Sequence, residues 1–359
     1  MPRYGKPATA AALVLGLVVV LHGLFANRPA RSAPREAPSR GAAPIRARPY
    51  FARTFEAARF QRGNLHAHTT LSDGHSTPEQ TILWYEAHGY QFLALTDHGL
   101  LSDPSRYATL HDPDFVLIPG EEITMTGGGR QVHVNALCTR HKIPGGAFRT
   151  TSAALSTAIS RVAAQGGVAI VNHPNFDWAL SETDVLDARD ASLLEIASGH
   201  PYVHTAGDAK HPSHEELWDR ALTAGAEYMG VAVDDVHRIG ASGNPLALPG
   251  KGWVQVFADH PDAKALCAAL ARGDLYASTG VELRRIEVTP AAYRVEPVQS
   301  GVAVAFIGAG GRELERVTVQ GATTFASYSP IGDEGYVRAR LERSDGGRAW
   351  TPAVRVSRQ

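Results

Sequence analysis

The chain of 359 residues has a formal net charge of −1, and this figure conceals an uneven distribution of charge. Residues 1–62 hold eleven Lys and Arg but two Asp and Glu, which leaves 24 basic and 34 acidic residues at positions 63–359. This acidic remainder excludes a nucleic-acid surface that depends on general basicity, but not a short nucleotide as a substrate. The length allows a sizeable core in one large domain or two smaller ones.

The N-terminal region has the composition of an export signal. Residues 1–26 combine Arg3 and Lys6 with an apolar run from Ala8 to Ala26. This run is at the short end of the about 20 apolar residues that a membrane-spanning helix needs. An uncleaved membrane anchor is therefore the alternative to a cleaved signal peptide. Residues 27–58, rich in Pro, Ala and Arg, predict a disordered tether. We therefore expect an exported protein, periplasmic, extracellular or anchored facing outward, that meets the membrane only through its N-terminal segment.

The two cysteines, Cys138 and Cys267, each lie in an apolar stretch. This setting predicts buried, free thiols, with pairing in an oxidising compartment as the alternative. No zinc-ribbon or Cys-x-x-Cys pattern occurs, so a bound metal must use His and carboxylate ligands.

From residue 59 to 283, apolar strands alternate with helices predicted at 78–88, 152–165, 214–224 and 261–272. Near-continuous apolar strands alternating with helices predict a parallel sheet. Six of these strands end in His, Asp or Glu, which favours a closed β/α barrel with its chemistry at the carboxyl ends of the strands. An open doubly wound sheet would carry a glycine-rich first turn, and none is seen. Residues 284–359 alternate between Gly-rich turns and predict a small antiparallel β domain.

The most informative motif is His66-Ala67-His68, which ends the first strand of the predicted barrel. Alternation along a strand places His66 and His68 on one face, where two imidazoles form half of a metal site. Asp73 follows on the next loop as a further oxygen ligand. Asp235 and His237, also two residues apart, repeat the arrangement.

Six motifs in order resemble those of the PHP (polymerase and histidinol phosphatase) superfamily over roughly residues 60–280. They are His66-Ala67-His68 with Ser72-Asp73-Gly74, Thr96-Asp97-His98, Gly120-Glu121-Glu122, His133, Asn172-His173-Pro174 and Asp235-Val236-His237. The segment 273–280 and the β tail resemble the branch that includes carbaryl hydrolases. The resemblance implies a distorted seven-stranded, TIM-like β/α barrel that holds two or three divalent ions.

The resemblance also implies which ligands hold each ion. Zinc, manganese and iron all suit this mixture of His and carboxylate ligands. One ion would be held by His66, His68, Glu122 and Asp235. A second would share Glu122 and add His133 and His173, and a third would use Asp73, His98 and His237. The family patterns Gly-x-Glu and Asp-x-His favour Glu122 over Glu121 and Asp235 over Asp234. Asp97 and Glu195 are expected to support the ligands from behind.

These features predict a metal-dependent hydrolase in which the ions activate a water to hydroxide. The first reading is a phosphoesterase that acts on a small phosphorylated ester. A carboxylic or carbamate ester hydrolase and an inactive, metal-containing binding module are the alternatives. The sequence contains no Gly-x-Ser-x-Gly nucleophile elbow, which argues against a hydrolase with a serine triad. A leaving group still needs a proton or a cation, and the candidates to supply it are His75, His200 and Arg238. Arg106, Arg130 and Lys251 are further cations for a phosphate substrate. A carbamate pocket would instead have an apolar lining from Trp84, Trp178 and Trp218.

Overall fold

The computed structural model describes residues 45–46, 54–240, 248–258, 260–321 and 324–356, with the backbone alone at 45–46. The predicted signal or anchor at 1–26 and most of the predicted tether at 27–58 lie outside these residues. The described residues belong to one compact unit. Within the described ranges, no helix is long and apolar enough to cross a bilayer.

Strands and helices are interspersed up to residue 278, and strands dominate the described residues thereafter. The first group is β1 (Ile45–Arg46), β2 (Thr54–Glu56), β3 (Phe60–Asn64), α1 (Pro78–Ala87), β4 (Phe92–Ala94), β5 (Val116–Ile118), β6 (Gly120–Gly127), β7 (Arg130–Leu137), β8 (Gly146–Phe148), α2 (Thr151–Ala164), β9 (Val168–Val171), α3 (Glu182–Asp187), β10 (Leu193–Ser198), α4 (His214–Thr223), β11 (Met229–Val233), β12 (Trp253–Phe257), α5 (Ala263–Arg272) and β13 (Leu275–Ser278). The second group is β14 (Leu283–Val288), β15 (Tyr293–Pro297), β16 (Val302–Gly308), β17 (Arg312–Val319), β18 (Ala326–Tyr328), β19 (Tyr336–Glu342), β20 (Arg348–Trp350) and β21 (Val354–Val356).

The sheets are mixed rather than wholly parallel. Strands β3, β4 and β5 are parallel, as are β9, β10 and β11. The parallel prediction is wrong for β7, which runs antiparallel to β6 and β9, and for β12, which runs antiparallel to β3 and β13. The cause at β7 is local, because a tight turn joins it to β6, whereas parallel neighbours need a long crossover. Gly128 and Gly129 form this turn with φ values of 58° and 83°.

Two single bridges join the sheets beyond the strand ends, between Ala67 and Val236 and between His98 and Glu122. The His68 amide, for example, donates to the Val236 carbonyl at 2.8 Å. The described strands form no closed seven-stranded barrel: β12 pairs antiparallel with β3, and the continuations of β3 and β11 meet only at the Ala67–Val236 bridge. The fold is therefore α/β with mixed sheets and a second, all-β region. The bridges still bring the motif-bearing strand ends together.

Helix boundaries follow capping chemistry. Thr77 and Gln80 form a reciprocal capping box, so α1 begins at Pro78 as predicted. Helix α5 begins two residues later than predicted because Asp262 accepts a hydrogen bond from the Ala265 amide. Gly273 ends α5 with φ 71°, a left-handed conformation that favours glycine.

The predicted C-terminal β domain is present as β14–β21 and is joined to the rest of the fold by strand pairing. β20 pairs with β13, β2 with β14 and β1 with β21. The tether prediction is therefore wrong for residues 45–46 and 54–56. Phe55 explains the error: its ring is 1% exposed and packs edge-on against Phe257 at 4.7 Å. One buried aromatic residue anchors a segment whose overall composition resembles that of a disordered linker.

Cys138 and Cys267 form a disulfide that links the residue after β7 to α5, with Cα atoms 6.0 Å apart. The prediction of free thiols is wrong. The sequence separation of 129 residues hides the pairing, because only the folded sheet brings β7 and α5 together. A bond that closes so long a loop restricts the unfolded chain strongly.

Candidate metal centre

All nine side chains that the sequence predicts as metal ligands converge at one end of the sheets. His66, His68 and Asp73 follow β3, and His98 follows β4. The others lie in β6 and β7 or just beyond β9 and β11, and they are Glu122, His133, His173, Asp235 and His237. Most are buried, whereas the side chains of Asp73 and His98 are 54% and 28% exposed. The cluster is therefore open to solvent on one side only.

Glu122 lies at the centre of the cluster, and its Oε2 atom faces three imidazoles. The distances are 3.1 Å to His68 Nε2, 3.3 Å to His66 Nε2 and 3.3 Å to His98 Nδ1. His98 Nδ1 also lies 2.9 Å from the Thr124 hydroxyl, which holds the ring in place.

The other carboxylate oxygen of Glu122, Oε1, faces a second pair of imidazoles. It lies 3.1 Å from His133 Nδ1 and 3.3 Å from His173 Nε2. The Asn172 amide donates to the same oxygen at 2.8 Å and fixes the carboxylate orientation. Glu122 thus presents one oxygen to each of two histidine groups, as a bridging ligand must.

Asp235 completes the buried part of the cluster. Its Oδ1 atom lies 3.4 Å from His66 Nε2 and 3.3 Å from His68 Nε2. Its backbone has φ 50°, which is rare outside glycine and is typically retained where function requires it. This conformation turns Asp235 towards the site while Asp234 points away. Asp234 instead accepts hydrogen bonds from Tyr85 and from the backbone amides of residues 250–252.

Asp73 forms the exposed part of the cluster. Its carboxylate lies 3.3 Å from His68 Nδ1, 3.6 Å from His98 Nε2 and 3.5 Å from His237 Nε2. Asp97 supports the loop that carries Asp73 by accepting hydrogen bonds from Thr69 and Ser72.

The donor set fits divalent cations. Four groups of three residues have ligand atoms within 4.8 Å of one another: His66–Glu122–His173, His66–His68–Asp235, His68–His98–Glu122 and His68–Asp73–His237. The Nε2 atoms of His66 and His68 lie 3.0 Å apart, a spacing at which two imidazoles share a cation or a proton. Imidazole and carboxylate together suit zinc, manganese or iron.

The carboxylates of the cluster raise the pKa values of the buried imidazoles of His66 and His68. Burial opposes charging of His66, but the carboxylates of Asp235, Glu122 and Glu195 outweigh it and raise the pKa of His66 well above 6.5. For His68, burial is again outweighed, by hydrogen bonds to Asp235 and Glu122, and the pKa rises to about 9. In the metal-free protein the neighbouring carboxylates therefore favour the charged form of these imidazoles.

The carboxylates show the complementary shift. Burial favours the neutral acid, but the His133 and His66 imidazoles hold the pKa of Glu122 well below its usual range. His66 and His68 likewise outweigh burial and depress the pKa of Asp235. Both carboxylates are therefore ionised and available as ligands.

Glu195 supports the cluster from behind, as expected. Its side chain is fully buried, with Oε1 2.6 Å from His66 Nδ1. Its Oε2 atom accepts a hydrogen bond from the His173 amide at 2.9 Å. Such partners orient ligating imidazoles and raise their basicity. Glu121, by contrast, points away from the cluster and accepts from the Ile143 amide at 2.6 Å.

A pocket of about 300 Å³ opens above the cluster. His200 lines it, with its ring 5.0 Å from that of His237, and burial lowers the pKa of His200 to about 4. No Lys or Arg is among the described residues that line this pocket. The predicted contacts His75, Arg106, Arg130, Arg238 and Lys251 are therefore not brought to it.

The predicted tryptophan lining is wrong. The Trp218 indole is buried and donates to the Tyr228 carbonyl, and the Trp84 ring stacks on His88. Trp178 stacks between two histidines outside the pocket. The aromatic lining comes instead from Phe176 and Tyr202.

Sequence reasoning missed four residues at the site, Thr124, Gln131, Phe176 and Tyr202, and one behind it, Asn135, which accepts a hydrogen bond from the Asn172 amide at 2.9 Å. Thr124 lies two residues after Glu122 and Asn135 two after His133, so strand alternation could have identified both. Gln131 is found by the same rule from His133. Phe176 and Tyr202 lie on loops, for which the sequence gives no comparable periodicity.

Among known proteins, only solved structures show similarity to this chain. No protein-family model and no curated relative matches the sequence. A two-domain protein from Bacteroides vulgatus that contains a predicted PHP-like metal-dependent phosphoesterase is 16% identical, with a TM-score of 0.43, and covers 88% of this chain and 99% of its own. A putative metal-dependent phosphoesterase from Bifidobacterium adolescentis is 16% identical, with a TM-score of 0.37, over 52% of this chain and 90% of its own. An amidohydrolase from Chromobacterium violaceum is 16% identical, with a TM-score of 0.38, over 52% and 89%. At these values the similarity does not bear on the chemistry of the site.

Proposed function

We propose that this protein is a metal-dependent phosphoesterase of the PHP type. The position of Glu122 carries this proposal, because its two oxygens face separate sets of imidazoles at 3.1–3.3 Å. A fully buried carboxylate surrounded by five imidazoles has no evident structural use, since apolar residues would pack there at lower cost. A shared carboxylate between two cation positions explains it.

Three groups of side chains would hold the ions. The first is His66, His68, Glu122 and Asp235. The second shares Glu122 and adds His133 and His173, and the third is Asp73, His98 and His237. His68 also lies within reach of the third group, so the positions are contiguous.

Bound divalent ions supply Lewis acidity and lower the pKa of water near the substrate. The chain itself holds and orients the ligands through Glu195 and Asp97, and it restricts solvent to one face of the cluster. His200 carries a neutral ring at neutral pH, so it can hydrogen-bond a substrate oxygen but supplies no imidazolium proton there.

The charge balance favours a phosphate ester. Three divalent ions carry more charge than the three carboxylates that face them, so an occupied centre is positive and attracts an anion. Such a centre binds a phosphoryl group without help from Lys or Arg.

The second candidate function is hydrolysis of a carboxylic or carbamate ester. The aromatic lining by Phe176 and Tyr202, without Lys or Arg among the described lining residues, favours it. The likeness of segment 273–280 to the carbaryl-hydrolase branch points the same way. A distorted barrel of the PHP type, its sheets linked by two single bridges rather than closed by continuous strand pairing, belongs to the same proposal.

A three-substrate comparison tests the proposal. Protein stripped with chelator and reloaded with manganese or zinc is assayed on an aryl phosphodiester, an aryl phosphomonoester and an aryl carboxylic ester. We expect metal-dependent turnover of a phosphate ester that is lost in Glu122→Gln and kept in Glu121→Gln. Turnover of the carboxylic ester alone would support the second candidate. No turnover, with metal fully bound, would contradict both and support the binding-module alternative.

Export is part of the proposal. A basic start followed by an apolar run supports it, and so does the disulfide between Cys138 and Cys267, since such bonds persist in oxidising compartments. Fractionation of bacteria that express the full chain tests it, and recovery of the protein with reduced thiols in the cytosol would contradict it.

A further inference from the structure

Two aromatic side chains extend the pocket beyond the proposed ligands. The Phe176 ring lies 6.1 Å from the His133 ring, at an interplanar angle of 25°, and 5.3 Å from the His173 ring. Tyr202 lies 5.5 Å from the His200 ring. Tyr202 is 53% exposed, the largest fraction among the large apolar side chains that the structure describes as exposed. Exposed aromatic surface beside a polar cluster is typical of a ligand contact.

A strained turn holds Phe176 in this position. The two residues after it, Asp177 and Trp178, have φ values of 49° and 52°, which side chains other than glycine rarely adopt. Arg130 stabilises the turn by donating to the carbonyls of Asp177 at 2.9 Å and Trp178 at 3.0 Å. Strain of this kind persists where the surroundings fix it, and it is concentrated at binding sites.

The same turn is tied to the loop that carries Tyr202. The Trp178 ring is stacked between His204 at 4.6 Å and His211 at 3.9 Å, with interplanar angles of 12° and 15°. His204 itself has φ 49°. The two loops therefore form one unit, which fixes Phe176 and Tyr202 relative to each other.

The surroundings of these aromatic residues limit the charge of the substrate. Among the described residues that line the pocket, the ionisable side chains are the proposed ligands, His200 and Tyr202, and none of them is a Lys or Arg. The nearest cation of the strained turn, Arg130, is engaged by backbone carbonyls. Residues 241–247, which follow the His237 motif, contain no Lys or Arg in the sequence. One phosphoryl group at the metal centre can be accommodated, and the described lining of the pocket offers no Lys or Arg for a second phosphate.

We propose that Phe176 and Tyr202 form an aromatic subsite that holds the aryl group of an aryl phosphoester with a single phosphoryl group, and this rests on the proposed function. In the reaction, the bond from phosphorus to the aryl oxygen breaks and a bond to a water oxygen forms. One proton of that water passes to the departing aryl oxygen. The rings stack on the aryl group while the phosphoryl group meets the metal centre.

Binding of non-hydrolysable analogues tests the subsite without the bias that aryl leaving groups introduce into rates. Isothermal titration of the zinc-loaded full chain with phenylphosphonate and methylphosphonate gives the ratio of their dissociation constants. We expect phenylphosphonate to bind about tenfold more tightly, from aromatic contact and burial of the ring. Tyr202→Ala and Phe176→Ala should each lower this ratio several-fold.

Two further variants serve as controls for this experiment. Phe176→Leu keeps an apolar side chain in place of the ring, and Phe325→Ala removes an exposed aromatic residue that stacks with Arg294 in the β region. Phe176→Leu should lower the ratio with metal content and melting temperature retained, and Phe325→Ala should not change it. Equal binding of both phosphonates by the parent protein overturns the subsite, as does a ratio that survives all changes at Phe176 and Tyr202. Failure of both phosphonates to bind, together with no hydrolysis of any phosphate ester, overturns the phosphoesterase function instead.

Discussion

The Nδ1 atom of His66 lies 2.6 Å from Oε1 of Glu195, and neither side chain has exposed surface. Because Nδ1 is engaged in this way, the Nε2 atom of His66 is left to face Glu122 and Asp235. The second oxygen of Glu195 accepts from the His173 amide. One buried carboxylate therefore orients residues from two of the proposed ion positions.

Replacing Glu195 should weaken metal binding without removing a ligand. In Glu195→Gln, one end of the amide must present N–H groups to the His66 ring or to the His173 amide, and both contacts favour an acceptor. We expect the dissociation constant for zinc to rise about 10–100-fold. Competition with a chromophoric chelator measures it, and an affinity equal to that of the parent protein would show that Glu195 has no orienting role.

Two neighbouring glutamates offer a matched test of the bridging position. Glu122→Gln should release at least one ion, because a neutral amide is a poor bridge between two cations. Glu121→Gln should retain full metal content, since the amide oxygen still accepts from the Ile143 amide. Metal analysis after dialysis measures both variants. Equal loss of metal from the two variants would contradict the placement of Glu122.

The metal-free protein should lose stability as the pH rises above neutrality. The pKa of His68 is raised to about 9, so its stabilising charge is fully present below pH 6.5 and is lost as the pH rises through about 9. At saturating zinc, stability should instead increase with pH, because zinc then displaces fewer protons from the imidazole ligands when it binds. Urea unfolding at several pH values measures both trends. Parallel pH profiles with and without zinc would contradict this prediction.

Removing the disulfide should lower stability but leave the metal centre intact. For a loop of 129 residues, the chain-entropy model gives a loss of about 5 kcal/mol in the free energy of unfolding. The double variant Cys138→Ser, Cys267→Ser is compared with the parent protein by denaturant unfolding, and metal content is measured in both. The parent protein treated with reductant serves as the control and should match the variant. Stability unchanged by either treatment would show that the bond is dispensable.

Phe55 should behave as a core residue rather than as part of a linker. Phe55→Ala removes a ring that is 1% exposed and packs on Phe257, at a cost of about 3–5 kcal/mol. Thermal and urea unfolding measure the change. Leu71→Ala, at a position 49% exposed, provides the surface comparison and should cost far less.

The part of the site that the sequence predicts comes from local geometry and from the resemblance of its motifs to a known family. Alternation along a strand places His66 beside His68. The choice of Glu122 over Glu121 comes from the resemblance to the Gly-x-Glu pattern, and alternation then turns Glu121 away. Asp235 adds a left-handed backbone conformation that a residue pattern does not reveal.

The rest of the structure depends on contacts between distant segments. The pairing of Cys138 with Cys267, the strand at Phe55 and the edge of β3 that β12 occupies are all fixed only by the folded sheet. The same holds for Phe176 and Tyr202, because two loops must stack through Trp178 before the rings face the pocket. The three tryptophans were predicted as lining on residue type alone, and their ring contacts place them elsewhere.

Strand β1 lies beside β21, so the two extremes of the described fold are neighbours in one sheet. During synthesis the chain cannot complete this sheet until β21, the last strand of the described fold, has emerged from the ribosome. Until then β1 and the exposed edge of β13 present unpaired backbone groups that can pair with other chains. We therefore expect this protein to depend on chaperones until β21 is available, and a tag at either end of the described fold to lie close to the other.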